Sequence, residues 1–174
     1  QAKNMFGANA ERVVAAYRAV DSKSTPFQLL ARLSTDRGTR RSSITLAERK
    51  AALGKAPARM YLMTFPSAPY GGKFGCVHGT EMPFFYHNLD AWPIGGTGPE
   101  AQALADKMAG AYIAFAKTGN PTVPGVGDWP AYTADTRPTM VFDVNTRVAN
   151  APHKELLDLV EKYAIEPQGP PRRG

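Results

Sequence analysis

The sequence predicts an α/β fold. Long segments whose apolar residues recur at helical spacing (11–20, 99–117 and 152–164) alternate with short apolar runs of strand length (58–65 and 139–142). Between the first strand and the longest helix lies a stretch rich in Gly, Pro and aromatic residues, 66–98. A composition of 43% hydrophobic and 21% charged residues over 174 positions is close to the globular average. It excludes wholesale disorder, collagen and coiled coil.

Residues 11–20 read as an amphipathic helix with Val13, Val14, Tyr17 and Val20 on one face. A second helix begins at Thr25-Pro26, with Thr as N-cap and Pro in the first turn, and is expected to bury Phe27, Leu30 and Leu33. A third covers 43–53 and stops at Gly54. The run 58–65, mostly apolar and bounded by Pro57 and Pro66, has the signature of a buried strand. Residues 66–98 show no sustained period. Loops of that length in compact domains are usually functional or disordered, and the large rings of Phe74, Phe84, Phe85, Tyr86 and Trp92 argue against disorder. Residues 99–117 form the clearest helix (Leu104, Met108, Ala111, Tyr112, Phe115), ended by Gly119 and Pro121. Two short strands, 139–142 and 147–149, flank Asp143-Val144-Asn145-Thr146, and 152–164 is a last amphipathic helix. The expected division is one domain over 1–166 and a flexible tail over 167–174.

Lys and Arg total 21 against 15 for Asp and Glu, a formal charge of +6. The excess sits in 32–55 and at Arg172-Arg173, and Arg37-Gly38-Thr39-Arg40-Arg41 has no interleaved aromatics to stack on bases. This reads as a solvated face rather than a nucleic-acid site. No apolar run is long enough for a membrane-spanning helix. A single cysteine, Cys76, allows no disulfide within the chain and no cysteine zinc cluster. The beginning Gln1-Ala2-Lys3-Asn4-Met5 carries neither an initiator Met nor a signal pattern, so the chain is expected to be processed or cut from something longer.

His78 is the residue on which chemistry converges. It sits in Phe74-Gly75-Cys76-Val77-His78-Gly79-Thr80-Glu81-Met82-Pro83, where small neighbours leave room for another molecule at the imidazole. A loop after a strand is also where α/β enzymes carry catalytic side chains. The local sequence is equally compatible with a loop histidine satisfied by backbone. His78 and Glu81 have a metal-ligand spacing only on a helix, which Gly79 and Pro83 disfavour, and no third ligand is evident. His87 and His153 read as surface or helix-start residues. None of Ser22, Ser24, Ser34, Ser42, Ser43 and Ser67 lies in Gly-x-Ser-x-Gly, so a nucleophile elbow is missing. Cys76 and His78, near neighbours in an extended loop, do not make a convincing dyad.

These residues bear a resemblance. Met60-Tyr61-Leu62-Met63-Thr64-Phe65, followed by Gly75-Cys76-Val77-His78-Gly79-Thr80-Glu81-Met82-Pro83-Phe84, is similar to the histidine segment of the type-B carboxylesterases, relatives of cholinesterases and para-nitrobenzyl esterases. Tyr112-Ile113-Ala114-Phe115-Ala116-Lys117-Thr118-Gly119-Asn120-Pro121, Trp129-Pro130-Ala131-Tyr132, Thr139-Met140-Val141-Phe142 and Ser34-Thr35-Asp36 resemble further segments of that family, in order. Cys76 stands where the family usually has Ala, and Tyr112 where it has Trp.

The resemblance implies the C-terminal part of an α/β-hydrolase fold, the last strands of a mixed sheet with flanking helices. It implies a serine carboxylesterase in which His78 is the general base and acid. In this superfamily the triad runs Ser, then Asp or Glu, then His. The serine and acid would therefore lie on an upstream segment, this chain's expected partner. The chain alone would be incomplete, inactive and not independently stable. Glu81 and Asp36 are expected in supporting roles near the histidine, Glu81 alternatively as a cap for loop amides. Val77 and Thr80 are expected at the substrate pocket. A small-molecule ester is the expected substrate; no cofactor and no metal is implied, and the family leans towards a secreted or periplasmic setting. A catalytically dead interaction protein on the same fold is the alternative.

Overall fold

The computed structural model describes residues 1–165; the expected tail at 167–174 lies outside the described residues. Helices α1 (Ala2–Phe6), α2 (Ala10–Val20), α3 (Pro26–Thr35) and α4 (Arg41–Ala52) precede strand β1 (Met60–Met63). Then follow α5 (Met82–Phe85), α6 (Pro99–Thr118), β2 (Pro138–Phe142), β3 (Arg147–Asn150) and α7 (Lys154–Tyr163). The chain forms two compact units, one of Gln1–Thr45 with the segment from His153 onward, the other of Leu46–Pro152.

The first unit is helical. Phe6, Val13, Tyr17, Leu33, Leu156 and Val160 are its buried centre. The start of α3 follows from its sequence: Thr25 accepts the Gln28 amide at 3.2 Å, and the Gln28 side chain accepts the Thr25 amide at 2.9 Å, a reciprocal cap. The buried face of α3 differs from the expected one. Leu29 and Leu33 point inward, an i,i+4 pair, while Phe27 is 53% exposed.

A widened turn over Asp36–Arg40 follows α3 and carries Asp36 inward, 6% exposed. The Tyr17 hydroxyl donates to Asp36 Oδ2 at 2.6 Å, and Arg40 Nη1 lies 3.2 Å from Oδ1. The basic run is therefore not one solvated face: Arg40 is folded inward to neutralise a buried carboxylate. Burial, then the Asp36 charge and its hydrogen bond, raise the Tyr17 phenol well above its usual ionisation range.

The second unit holds the sheet, ordered β1-β2-β3. β1 and β2 run parallel, with Met60 opposite Thr139 and Met63 opposite Phe142; β2 and β3 are antiparallel, with Thr139 opposite Ala149. Every residue of β2 is buried, while β1 is only partly so and Tyr61 is 40% exposed. The expectation of a buried strand at 58–65 is thus corrected. The covered strand is β2, because β1 has a ladder partner on one side only among the described residues. Helix α6 turns Leu104, Met108 and Ala111 inward, leaving Tyr112 and Phe115 at 47% and 43% exposure. It ends where Gly119 adopts the left-handed conformation at φ 74°. No described helix is long and apolar enough to cross a membrane.

The Tyr17–Asp36 bond makes a testable demand. The phenol's pKa is raised above its unfolded value of 10.0, so its contribution is complete below that pH and is lost as alkali ionises the unfolded chain. Tyr17→Phe should cost about 1–3 kcal/mol at neutral pH, read as a lower urea midpoint. The gap to the parent should narrow above a pH of about 10. A gap that stayed constant into that range would contradict the account.

Candidate active site

The histidine loop leaves the end of β1 through Thr64, whose amide bonds the Phe142 carbonyl at 3.0 Å and whose hydroxyl reaches Asp143 Oδ2 at 2.8 Å. Phe65 turns into the core. The chain then makes a closed excursion: the Ser67 amide and hydroxyl both donate to the Gly75 carbonyl, at 3.0 and 2.7 Å. Gly71, Gly72 and Gly75 take φ of 66°, 75° and 71°, a region that only glycine enters without strain.

His78 follows on an exposed turn. Thr80 anchors this turn from below. It is fully buried, and its amide and hydroxyl both bond the Val77 carbonyl, at 3.1 and 2.7 Å. Gly79 sits at φ 85°, and its carbonyl accepts the Met82 amide at 3.2 Å. Glu81 ends the turn, and its carbonyl accepts the Phe84 and Phe85 amides of α5, at 3.2 and 3.1 Å. Among the described residues no hydrogen-bond partner occupies the His78 imidazole. It is an exposed ring on a braced backbone, open to a proton donor or acceptor from another segment or molecule.

The other candidates are placed as follows. Glu81 is half-buried, and burial, then its carboxylate, raise both the Cys76 thiol and the Tyr61 phenol. Val77 is half-buried beside His78, and Thr80 spends its hydroxyl on the turn itself. Asp36 belongs to the helical unit, where Tyr17 and Arg40 hold its carboxylate. His153 stands at the start of α7 with φ 55°, its pKa lowered by desolvation and then by Arg40 and Arg32. His87 is exposed as expected, but it has a partner that the sequence did not reveal: its Nε2 lies 2.6 Å from Asp106 Oδ1, with Gln102 Nε2 at 3.1 Å. The two sit 19 residues apart, and only the packing of α5 on α6 brings them together.

Two further features escaped the sequence. A groove of about 430 Å³ beside β1 is walled by Tyr61, Phe85, Tyr112, Phe115 and Trp129, and His78 does not line it. Arg59 lies in the same groove with Nε and Nη1 buried and without a hydrogen-bond partner among the described residues. Among the described residues no group of three or more His, Cys, Asp or Glu side chains is arranged to hold a metal.

The profile of the Carboxylesterase family matches residues 4–160. The para-nitrobenzyl esterase of Bacillus subtilis (strain 168) is 35% identical over 105 residues, covering 58% of this chain and 21% of that protein. The phenmedipham hydrolase of Pseudarthrobacter oxydans is 30% identical over 137 residues, 75% of this chain and 27% of that protein. The crystal structure of a Geobacillus stearothermophilus carboxylesterase superposes with a TM-score of 0.71 at 28% identity, over 86% of this chain and 31% of the other. The chain thus spans 21% and 27% of the length of the two relatives.

Cys76 offers a direct check on the electrostatics of the turn. Desolvation, then the Glu81 charge, push its thiol up to about 11 although the residue is exposed. Alkylation by iodoacetamide at a pH of about 8 should run at least tenfold slower than for an unperturbed thiol with a pKa of ~8.5, and should keep climbing past a pH of about 10. Glu81→Gln should shift that climb to lower pH. A rate already level by about pH 9 would contradict this environment.

Proposed function

We propose, since this chain belongs to the carboxylesterase family and carries part of its α/β-hydrolase fold, that it supplies the general base of a serine carboxylesterase and that His78 is that base. The observation that supports the reading most strongly is the exposed imidazole of His78. It stands on a turn braced through Thr80 and Gly79, in the loop that follows the carboxyl end of a parallel strand. That end of an open α/β sheet is where catalytic groups gather.

The chemistry is acyl transfer. A serine hydroxyl is a weak nucleophile until an adjacent base takes its proton. His78 takes that proton as the hydroxyl attacks the ester carbonyl, then gives it to the departing alkoxide. In the second half-reaction it takes a proton from water, which attacks the acyl-enzyme, and returns that proton to the serine oxygen as the carboxylic acid leaves. The serine and the acid that orients the imidazole would come from an upstream segment of the same esterase, in a single domain with residues 1–166.

Features of the sheet unit suit such a segment. β1 has an open edge among the described residues, and unpaired strand edges seek a ladder partner. The groove beside it exposes Tyr61, Tyr112 and Phe115, apolar area that a covering segment would remove from water. Arg59 in that groove has guanidinium N–H groups buried without acceptors among the described residues, acceptors that a carboxylate on the covering segment would supply.

In the completed enzyme, His78→Ala should lower kcat for p-nitrophenyl esters on the order of 10⁴- to 10⁶-fold, as loss of a triad member does in serine proteases. KM should change little, because the imidazole acts mainly in the transition state. His87→Ala should stay within a few-fold of the parent. A His78→Ala enzyme with a tenth of parental turnover, alongside an inactive His87→Ala enzyme, would move the base to the His87–Asp106 pair.

A further inference from the structure

We propose that Arg59 anchors a joint: the segment covering the open edge of β1 meets its guanidinium with an aspartate or glutamate on one side and a main-chain carbonyl on the other. The inference rests on the reading of this chain as one part of a longer esterase, and it names what the covering segment must bring. Nε and Nη1 of Arg59 are buried and have no hydrogen-bond partner among the described residues. An arginine on a free surface buries its stem and keeps its charged head in water. The backbone around Arg59 is fixed on both sides. The Ala58 carbonyl accepts the Tyr132 amide at 2.9 Å, and the Met60 carbonyl accepts Trp129 Nε1 at 3.1 Å. Arg59 and Tyr61, two residues apart, share one face of the extended chain and line the same groove.

The guanidinium is a planar fork whose donors point in fixed directions. The Nε hydrogen lies on the side shared with Nη2, whereas Nη1 lies on the Cδ side, so one carboxylate cannot serve both. A carboxylate for the charge and a peptide carbonyl for the other side are what an acidic stretch of polypeptide offers. A small anion offers only the first. The strand edge favours the same occupant. Thr64 turns its amide to Phe142 O in β2, so by alternation Tyr61 and Met63 present their N–H and C=O groups to the open side. A strand bonded there passes about 5 Å from β1 and brings a side chain within reach of Arg59 on the shared face. Most of the length of the two relatives lies outside the part this chain matches, which leaves ample polypeptide to supply that strand.

The test uses the completed enzyme and reads stability rather than turnover. Arg59→Met replaces the cation with an apolar side chain and orphans the acid in the joint. In the parent, Arg59 favours the ionised carboxylate; in the variant, burial without a partner disfavours it. The urea midpoint of Arg59→Met should therefore fall further below the parent's at about pH 8, where the orphaned acid must ionise, than at about pH 5, where it can stay protonated. Arg59→Lys, which keeps the charge, should show a smaller loss that does not grow between those pH values. An Arg59→Met loss that is absent or equal at both, or an Arg59→Lys loss that grows as steeply, would overturn the inference. Should neither variant fold, a crystal structure of the parent decides. An Asp or Glu from outside these 174 residues within about 4 Å of the guanidinium supports the joint. Water, a bound anion or a second copy of the chain in that place overturns it. Turnover of His78→Ala is a separate readout: its persistence would remove the assignment of the base without moving these midpoints.

Discussion

The parallel ladder between β1 and β2 sets the position of everything chemical in this chain. Parallel strands cannot be joined by a tight turn; the chain must cross over through a long connection. Here the connection runs from Thr64 to Arg137 and contains the histidine loop, α5 and α6. Because Met63 pairs opposite Phe142, the chain leaves the sheet at a fixed height and passes into the loop that carries His78. The first bonds after the strand, from Thr64 to Phe142 O and to Asp143, extend that registration into the loop. From there, Gly-permitted reversals and the Thr80 hydroxyl convert a strand end into an exposed, braced imidazole.

Legibility in the sequence followed the range of the interaction. Features set by neighbours in sequence were readable: the Thr25-Pro26 start of α3, the Gly119 stop of α6 and the two short strands around 143–146. His78 stood out because small residues flank it and because its surroundings resemble a family segment. Features set by packing across distance were not. Phe27 and Leu29 are both apolar, and only the placement of α3 decides that Leu29 is buried. The apolar run of β1 reads as a buried strand whether or not a partner covers its second edge. Asp106 and His87 meet through tertiary packing, and the Tyr17–Asp36 bond spans 19 residues. No local pattern announces either pair.

The exception within the basic run has a related cause. A basic run with polar neighbours reads as a solvated face, and most of its residues are exposed. Arg40 departs from this, its side chain only 14% exposed beside the Asp36 carboxylate. A buried acid forces that arrangement, since an unpaired carboxylate in a helical core would cost several kcal/mol, roughly 3–5 on loss of a partner. The sheet unit leaves the opposite condition at Arg59, buried N–H groups without acceptors among the described residues. Arg40 has its acid among the described residues, and Arg59 has none there.

The account's central claim is that His78 is the base for a serine carried elsewhere in the polypeptide. The most direct test is a crystal structure of the completed enzyme, read at one distance. His78 Nε2 should lie within hydrogen-bond reach of a serine Oγ, roughly 2.6–3.2 Å, with a carboxylate on Nδ1. A nucleophilic serine whose Oγ is approached by His87, or by no histidine of this chain, would contradict it.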